Sequence, residues 1–186
     1  EIYTLSLHDA LPIFGRTVLR SSEPDAFRVR PITIEEQAFL DEMLYEALFV
    51  PEGEPVLPRS VIFEPSLSCY RDDWGKGRCD IALVAERDGM LVGAIWGRLF
   101  TDARRGYGFV HSAVPEIGMA VYAAYRRQGI GGALLREIEI AFKAKGVSTL
   151  SLSVAKANHV AYRFYLKSGF RVFCEAAGSL TMTKPL

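Results

Sequence analysis

The stretch Arg126-Arg127-Gln128-Gly129-Ile130-Gly131-Gly132-Ala133-Leu134-Leu135 puts three glycines into four positions at the mouth of a strong helical pattern. Glycine in a helix interior costs roughly 1 kcal/mol against alanine, so three at a helix start need a reason. One reason is chemical. A helix N-terminus presents unsatisfied N–H groups and about half a positive charge, and an uncovered backbone lets anion oxygens reach them. On this reading the amides from Arg127 to Gly132, through Gln128, Gly129, Ile130 and Gly131, form a pyrophosphate cradle, and Arg126 and Arg127 add charge at its rim. The other reason is structural, a sharp turn with close packing of helix on sheet.

Two common phosphate readers fail on the same residues. A P-loop needs a lysine and a hydroxyl residue after its last glycine, and Ala133 and Leu134 follow Gly132 instead. A dinucleotide fingerprint needs glycine at Leu134 and an acid after the next strand, where Ala155, Lys156 and Ala157 stand.

Outward from the glycines the periodicities are clear. Residues 116–122 (EIGMAVY) read as a strand, and Ile130, Leu134, Ile138, Ala141 and Phe142 form a helical stripe stopped by Gly146. Residues 149–154 (TLSLSV) alternate as a strand, and Asn158 caps a helix that Gly169-Phe170 closes. Upstream, two β-rich runs flank Asp88-Gly89, a pair suited to a tight hairpin turn. Thr33 to Glu36 fit a capping box, which predicts a helix start there, followed by an apolar stripe from Phe39 to Leu48. Residues 51–58 break that helix with three prolines, and 59–70 predict a second, less regular one. Two short strands, 172–174 and 180–182, close the chain. The order β-α-α-β-β-β-α-β-α-β-β is one mixed α/β domain over residues 27–186.

The 22 basic and 22 acidic residues cancel, which argues against nucleic acid and anionic membrane surfaces as partners. Cys69, Cys79 and Cys174 show no C-x-x-C spacing, so reduced thiols in a cytoplasmic protein are expected, with no metal site. No apolar run approaches the ~20 residues of a membrane span. Residues 1–13 (EIYTLSLHDALPI) resemble translated sequencing-adapter read-through, so a non-native or disordered extension is expected there, a natural extension being the alternative.

The glycine stretch resembles the signature [QR]-x-x-G-x-[GA] of the GCN5-related N-acetyltransferases, matched by Arg126-Arg127-Gln128-Gly129-Ile130-Gly131 between a strand and a helix. A second family block, N-x-x-A-x-x-x-Y-x-x-x-G-F, is matched from Asn158 through Ala161 and Tyr165 to Gly169-Phe170. The resemblance implies a mostly antiparallel sheet of six or seven strands flanked by four helices. Its two central strands, here 116–122 and 149–154, splay apart to admit the pantetheine arm of acetyl-CoA.

By the same resemblance the cradle binds the pyrophosphate, and the backbone of Met119, Ala120 and Val121 pairs with pantetheine. Val121 is the candidate oxyanion donor. Tyr165 matches the tyrosine that serves the departing thiolate, and Asn158 lies near the pantetheine. An amine of pKa ~10.4 is neutral about one time in two thousand at pH 7, so a base is needed, and Glu116 is the candidate. The implied reaction is direct attack of a primary amine on the thioester; the alternative is a catalytically silent acyl-CoA sensor. The acceptor, a small molecule or a peptide, is set by residues 34–74 and 101–114, which carry no readable pattern. Trp74 and Trp96 belong by resemblance to its pocket. His111 and His159 receive no role, and a homodimer stays open.

Overall fold

Alternating burial along the strands sorts the chain into one sheet with a core on each face. The structure is a computed structural model that describes residues 26–176 and 178–186, with the backbone of residues 18–19; the expectation for residues 1–13 lies outside them. The strands are β1 (Val18–Leu19), β2 (Arg28–Pro31), β3 (Ile81–Arg87), β4 (Met90–Arg98), β5 (Glu116–Val121), β6 (Thr149–Ala155), β7 (Arg171–Ala176) and β8 (Ser179–Pro185). They lie in the order β1-β2-β3-β4-β5-β6-β8-β7, antiparallel throughout except for β5 and β6. Seven have four residues or more, as the resemblance implies, and the pair Val18–Leu19 adds an eighth. The helices are α1 (Ala38–Ala47), α2 (Pro65–Ser68), α3 (Ile130–Ala144) and α4 (His159–Lys167), with 3-10 turns at Arg59–Phe63 and Ala123–Tyr125.

The hairpin between β3 and β4 turns on Asp88 and Gly89, both at positive φ, as the Asp-Gly pair requires. On one face of the sheet Leu83, Ile95, Ile117 and Leu152 pack under α3, which buries Ile130, Leu134, Ile138 and Phe142. Each such side chain contributes roughly 1.5–3 kcal/mol by leaving water. On the other face Val84, Ala94, Trp96 and Ala120 meet Leu40, Met43 and Leu44 of α1.

One expectation is corrected: α1 starts at Ala38 and not at Thr33. The Thr33 N–H does donate to Glu36 Oε2 at 3.0 Å, which is half of a capping box. The Glu36 carboxylate is, however, gripped by Arg30 at 2.6 and 2.7 Å, and this pins residues 33–37 as turns beside β2.

Candidate active site

β5 and β6 are the only parallel neighbours among the described strands, and they pair at one position, Glu116 opposite Ser151. The Ser151 N–H donates to the Pro115 carbonyl at 2.9 Å, and beyond that bond the strands part. The gap opens toward the carboxyl ends of two parallel strands, where ligands bind in sheets of this kind. Its closed end is Glu116; its open end is Val121.

Strand register decides which groups face the gap. The Tyr122 N–H donates to the Val92 carbonyl at 3.0 Å, with Val121 opposite Gly93 and Ala120 opposite Ala94. Hydrogen-bonded pairs alternate along an antiparallel ladder, so Ala120 and Gly118 turn their polar groups to β4, while Met119 and Val121 turn theirs to the gap. The Val121 carbonyl accepts from Arg126 Nε at 2.8 Å. The Val121 N–H and both polar groups of Met119 have no partner among the described residues.

At the mouth of the gap the chain turns sharply into α3. Arg127 and Gly129 both take positive φ, +62° and +84°, and Gly129 caps a helix whose first amides, through Gly132, have no described acceptor. That conformation costs a non-glycine residue about 1–2 kcal/mol, so the loop is built for exposed N–H groups in spite of strain at Arg127. A Cβ on Gly131 would lie 3.5 Å from Met119 Cε and 3.8 Å from Phe164 Cζ, so the cradle abuts β5 and α4. One side chain differs from the expected rim. Arg126 folds back onto β5 and lies 3.9 Å from Glu46, because the unpaired Val121 carbonyl is the nearer acceptor. Gln128 bonds the Ala124 carbonyl at 3.1 Å and Arg87 at 2.6 Å. What the turn leaves uncovered is therefore backbone N–H, with Arg127 exposed beside it.

On the β6 side, Asn158 Oδ1 accepts from the Ala161 N–H at 3.1 Å and caps α4. Two turns on from the cap, Tyr165 is 7% exposed, its ring set edge-on against Phe164 and Phe170 at 5.3 and 5.5 Å. Its hydroxyl bonds to no described residue yet is not among the occluded polar atoms, so the little surface this tyrosine keeps includes its oxygen. Burial raises its pKa to about 12. At neutral pH it is a donor.

Glu116 is 4% exposed. Tyr70 Oη donates to its Oε1 at 2.6 Å and accepts from the Tyr107 N–H at 2.6 Å. Oε2 is buried with no donor in hydrogen-bonding geometry. Desolvation raises the Glu116 pKa to about 7, against the lowering pull of the Tyr70 hydroxyl and a weaker one from the Gly108 backbone. The cation directly across the ladder, Arg98, is committed elsewhere: its guanidinium donates to the Cys69 and Asp72 carbonyls at 3.0 and 2.9 Å and to Asp80 at 3.1 Å. A carboxylate kept from its arginine in an apolar setting is tuned toward neutral-pH proton transfer.

Above β4 and α1 a pocket of about 190 Å³ is lined by Tyr70, Trp74 and Trp96 with Leu40, Leu44 and the Asp41–Arg71 pair. Tyr70 joins it to Glu116. The sequence had offered Trp74 and Trp96 but not Tyr70, which falls in the segment with no readable pattern.

A slot between parted strands admits an extended, amide-bearing chain as a pseudo-strand, and uncovered helix amides at its mouth admit an anionic head. An acyl-CoA is a ligand with both parts, and the arrangement is that of an acyl-CoA-dependent transferase. The Acetyltransferase (GNAT) family profile matches residues 42–170, and the chain belongs to that family. It is an acetyltransferase that uses acetyl-CoA.

Solved structures agree on the fold. The chain is similar to the PaiA N-acetyltransferase from Thermoplasma acidophilum in complex with coenzyme A (21% identity, 86% of this chain and 99% of that one, TM-score 0.63). It is also similar to the GNAT domain of S. lividans PAT (18%, 96% and 100%, 0.66). A third is the ribosomal-protein-S18-alanine N-acetyltransferase from Escherichia coli (16%, 86% and 93%, 0.57). No curated protein sequence matches the chain at a significant level. Among the described residues no helix is long and apolar enough to cross a membrane, and no group of acidic, histidine and cysteine side chains could hold a metal.

Proposed function

We propose that the protein transfers acetyl from acetyl-CoA to a primary amine by direct attack on the thioester, with Glu116 as general base. The observation that carries this reading is the buried Glu116 carboxylate, one oxygen unpaired, at the closed end of the gap. The pyrophosphate lies on the amides from Arg127 to Gly132, and pantetheine pairs along the gap-facing edge of β5.

Distance along β5 apportions the roles. A strand rises about 3.3 Å per residue, so Val121 stands about 16 Å from Glu116 and Met119 about 10 Å. A donor at Val121 and a base at Glu116 are too far apart to serve one carbon. We therefore assign the oxyanion to the Met119 N–H, with a water and the amine spanning the remaining distance to Glu116, and Val121 to pantetheine. Ala120, its polar groups turned to β4, shapes the strand without bonding to the ligand.

The leaving group needs less help. Tyr165, at about 12, is a weaker acid than a thiol of ~8.5 by more than three pK units, so full proton transfer to the thiolate is uphill by more than about 4 kcal/mol. Tyr165 serves as a hydrogen-bond donor to a thiolate that departs as the anion. Asn158 holds the start of α4 and thereby Tyr165.

The test is the pH dependence of kcat/KM, followed by thiol release from acetyl-CoA with an amine acceptor. An ionisation near 7, separate from that of the amine itself, is expected and disappears in Glu116→Gln. A Glu116→Gln enzyme with the wild-type profile removes Glu116 from the mechanism.

A further inference from the structure

We propose that the acceptor is a primary amine carrying one positive charge and an aromatic or apolar body, bound in the pocket between α1, α2 and β4. This rests on the acetyltransferase reading above and adds the chemical class of the acceptor.

The walls make the first argument. Tyr70, Trp74 and Trp96 supply three aromatic surfaces, and Leu40 and Leu44 an aliphatic one. Trp96 is 4% exposed and anchored in the α1-side core, and the Arg98 guanidinium lies 5.3 Å from the centre of a Trp74 ring, so both indoles are fixed panels. An apolar cavity of about 150 Å³ holds benzene; at about 190 Å³ this pocket has room for such a ring and a short amine-bearing arm.

Charge makes the second. Asp41 and Arg71 are the charged groups in the wall, and two bonds at 3.0 and 3.1 Å lock them to each other. Four further acids on the surrounding elements are matched as well: Glu42 with Arg59, Asp72 with Arg104 at 2.7 Å, Asp80 with Arg98 at 3.1 Å and Glu46 with Arg126 at 3.9 Å. A polyamine or a lysine-rich peptide brings two or more charges and needs free carboxylates to receive them. The pocket wall itself holds no free carboxylate. The Tyr70 hydroxyl leads from it to the one buried carboxylate oxygen left without a partner among the described residues, that of Glu116, which serves a single amine, and the aromatic faces favour a lone ammonium on approach.

The experiment compares 2-phenylethylamine, spermidine and a lysine-containing peptide as acceptors, with calorimetric titration of CoA in parallel. The expected result is a kcat/KM for 2-phenylethylamine at least about tenfold above the other two. Trp74→Ala should raise its KM by about tenfold, Trp74→Phe should restore it, and neither should change CoA affinity, which also reports that the variants fold. Preference for spermidine or the peptide, or an unchanged KM in Trp74→Ala, overturns the acceptor class while leaving acetyl transfer intact. If CoA binds but no amine is acetylated, the catalytic roles fail. The pocket is then judged by tryptophan fluorescence of the CoA-bound protein titrated with 2-phenylethylamine: saturation upholds it, and no response overturns it.

Discussion

The two ends of β5 are made of different material. At Val121 the site is backbone: N–H groups of the strand and of the α3 start, left bare by glycine and by the absence of a strand partner. At Glu116 it is a single side chain together with the groups pressed onto it, Tyr70 above all. The first end is harmed by adding atoms and is indifferent to pH near neutrality. The second is harmed by removing atoms and titrates in that range.

The largest expected effect comes from adding a charged side chain at the open end. Gly131→Glu sets a carboxylate at the proposed pyrophosphate site, and calorimetry should detect no CoA binding at millimolar ligand. Glu116→Gln should leave the CoA Kd within about twofold of wild type; a matching loss in both would erase the distinction between the two ends.

Next comes removal of the proposed base. Glu116→Gln should lower kcat/KM by about 10²- to 10⁴-fold, and wild-type activity should fall as pH drops through about 7, because the charged carboxylate is the active form. Steady-state rates from pH 5.5 to 9 check both.

Stability gives a third, smaller signal of known sign. The Glu116 pKa is raised in the folded state, so the proton favours folding: its contribution is full below about 4.5 and is lost as pH rises through about 7. The difference amounts to about 3 kcal/mol for this buried group. Thermal denaturation should show the wild type losing ground to Glu116→Gln between pH 5 and pH 8. A constant gap across that range would place the Glu116 pKa in the ordinary carboxylate range.

The smallest effect is expected at the leaving group. Tyr165→Phe should lower kcat by about tenfold or less with CoA affinity unchanged, since in the proposed mechanism the thiolate departs without a full proton transfer. A loss beyond about a thousandfold would make Tyr165 a true acid.

The backbone-built end was legible because it is written locally. Gly129, Gly131 and Gly132 follow a strand and open a helix, and Asn158 stands three residues before the amide it caps, so pattern and structure coincide. The hairpin at Asp88-Gly89 was legible for the same reason. Glu116 could be named as a carboxylate on the right strand, but its burial and tuning come from Tyr70, 46 positions away, and from an arginine diverted to Asp80. No spacing encodes such long-range partners. Local pattern also misled where a distant group intervened: Arg30 draws Glu36 away from a full capping box, and the Val121 carbonyl draws Arg126 back to β5.

The loop over Glu116 has one more consequence. A Cβ at Gly106 would overlap Glu116 Oε2 and lie 2.7 Å from the Tyr70 hydroxyl and 2.8 Å from the Phe100 ring. Even alanine forces the Glu116 carboxylate, the Tyr70 hydroxyl and the Phe100 ring to shift. In a saturation mutagenesis of this protein, position 106 would score with the catalytic residues although it carries no functional group, its whole contribution being the volume it leaves empty.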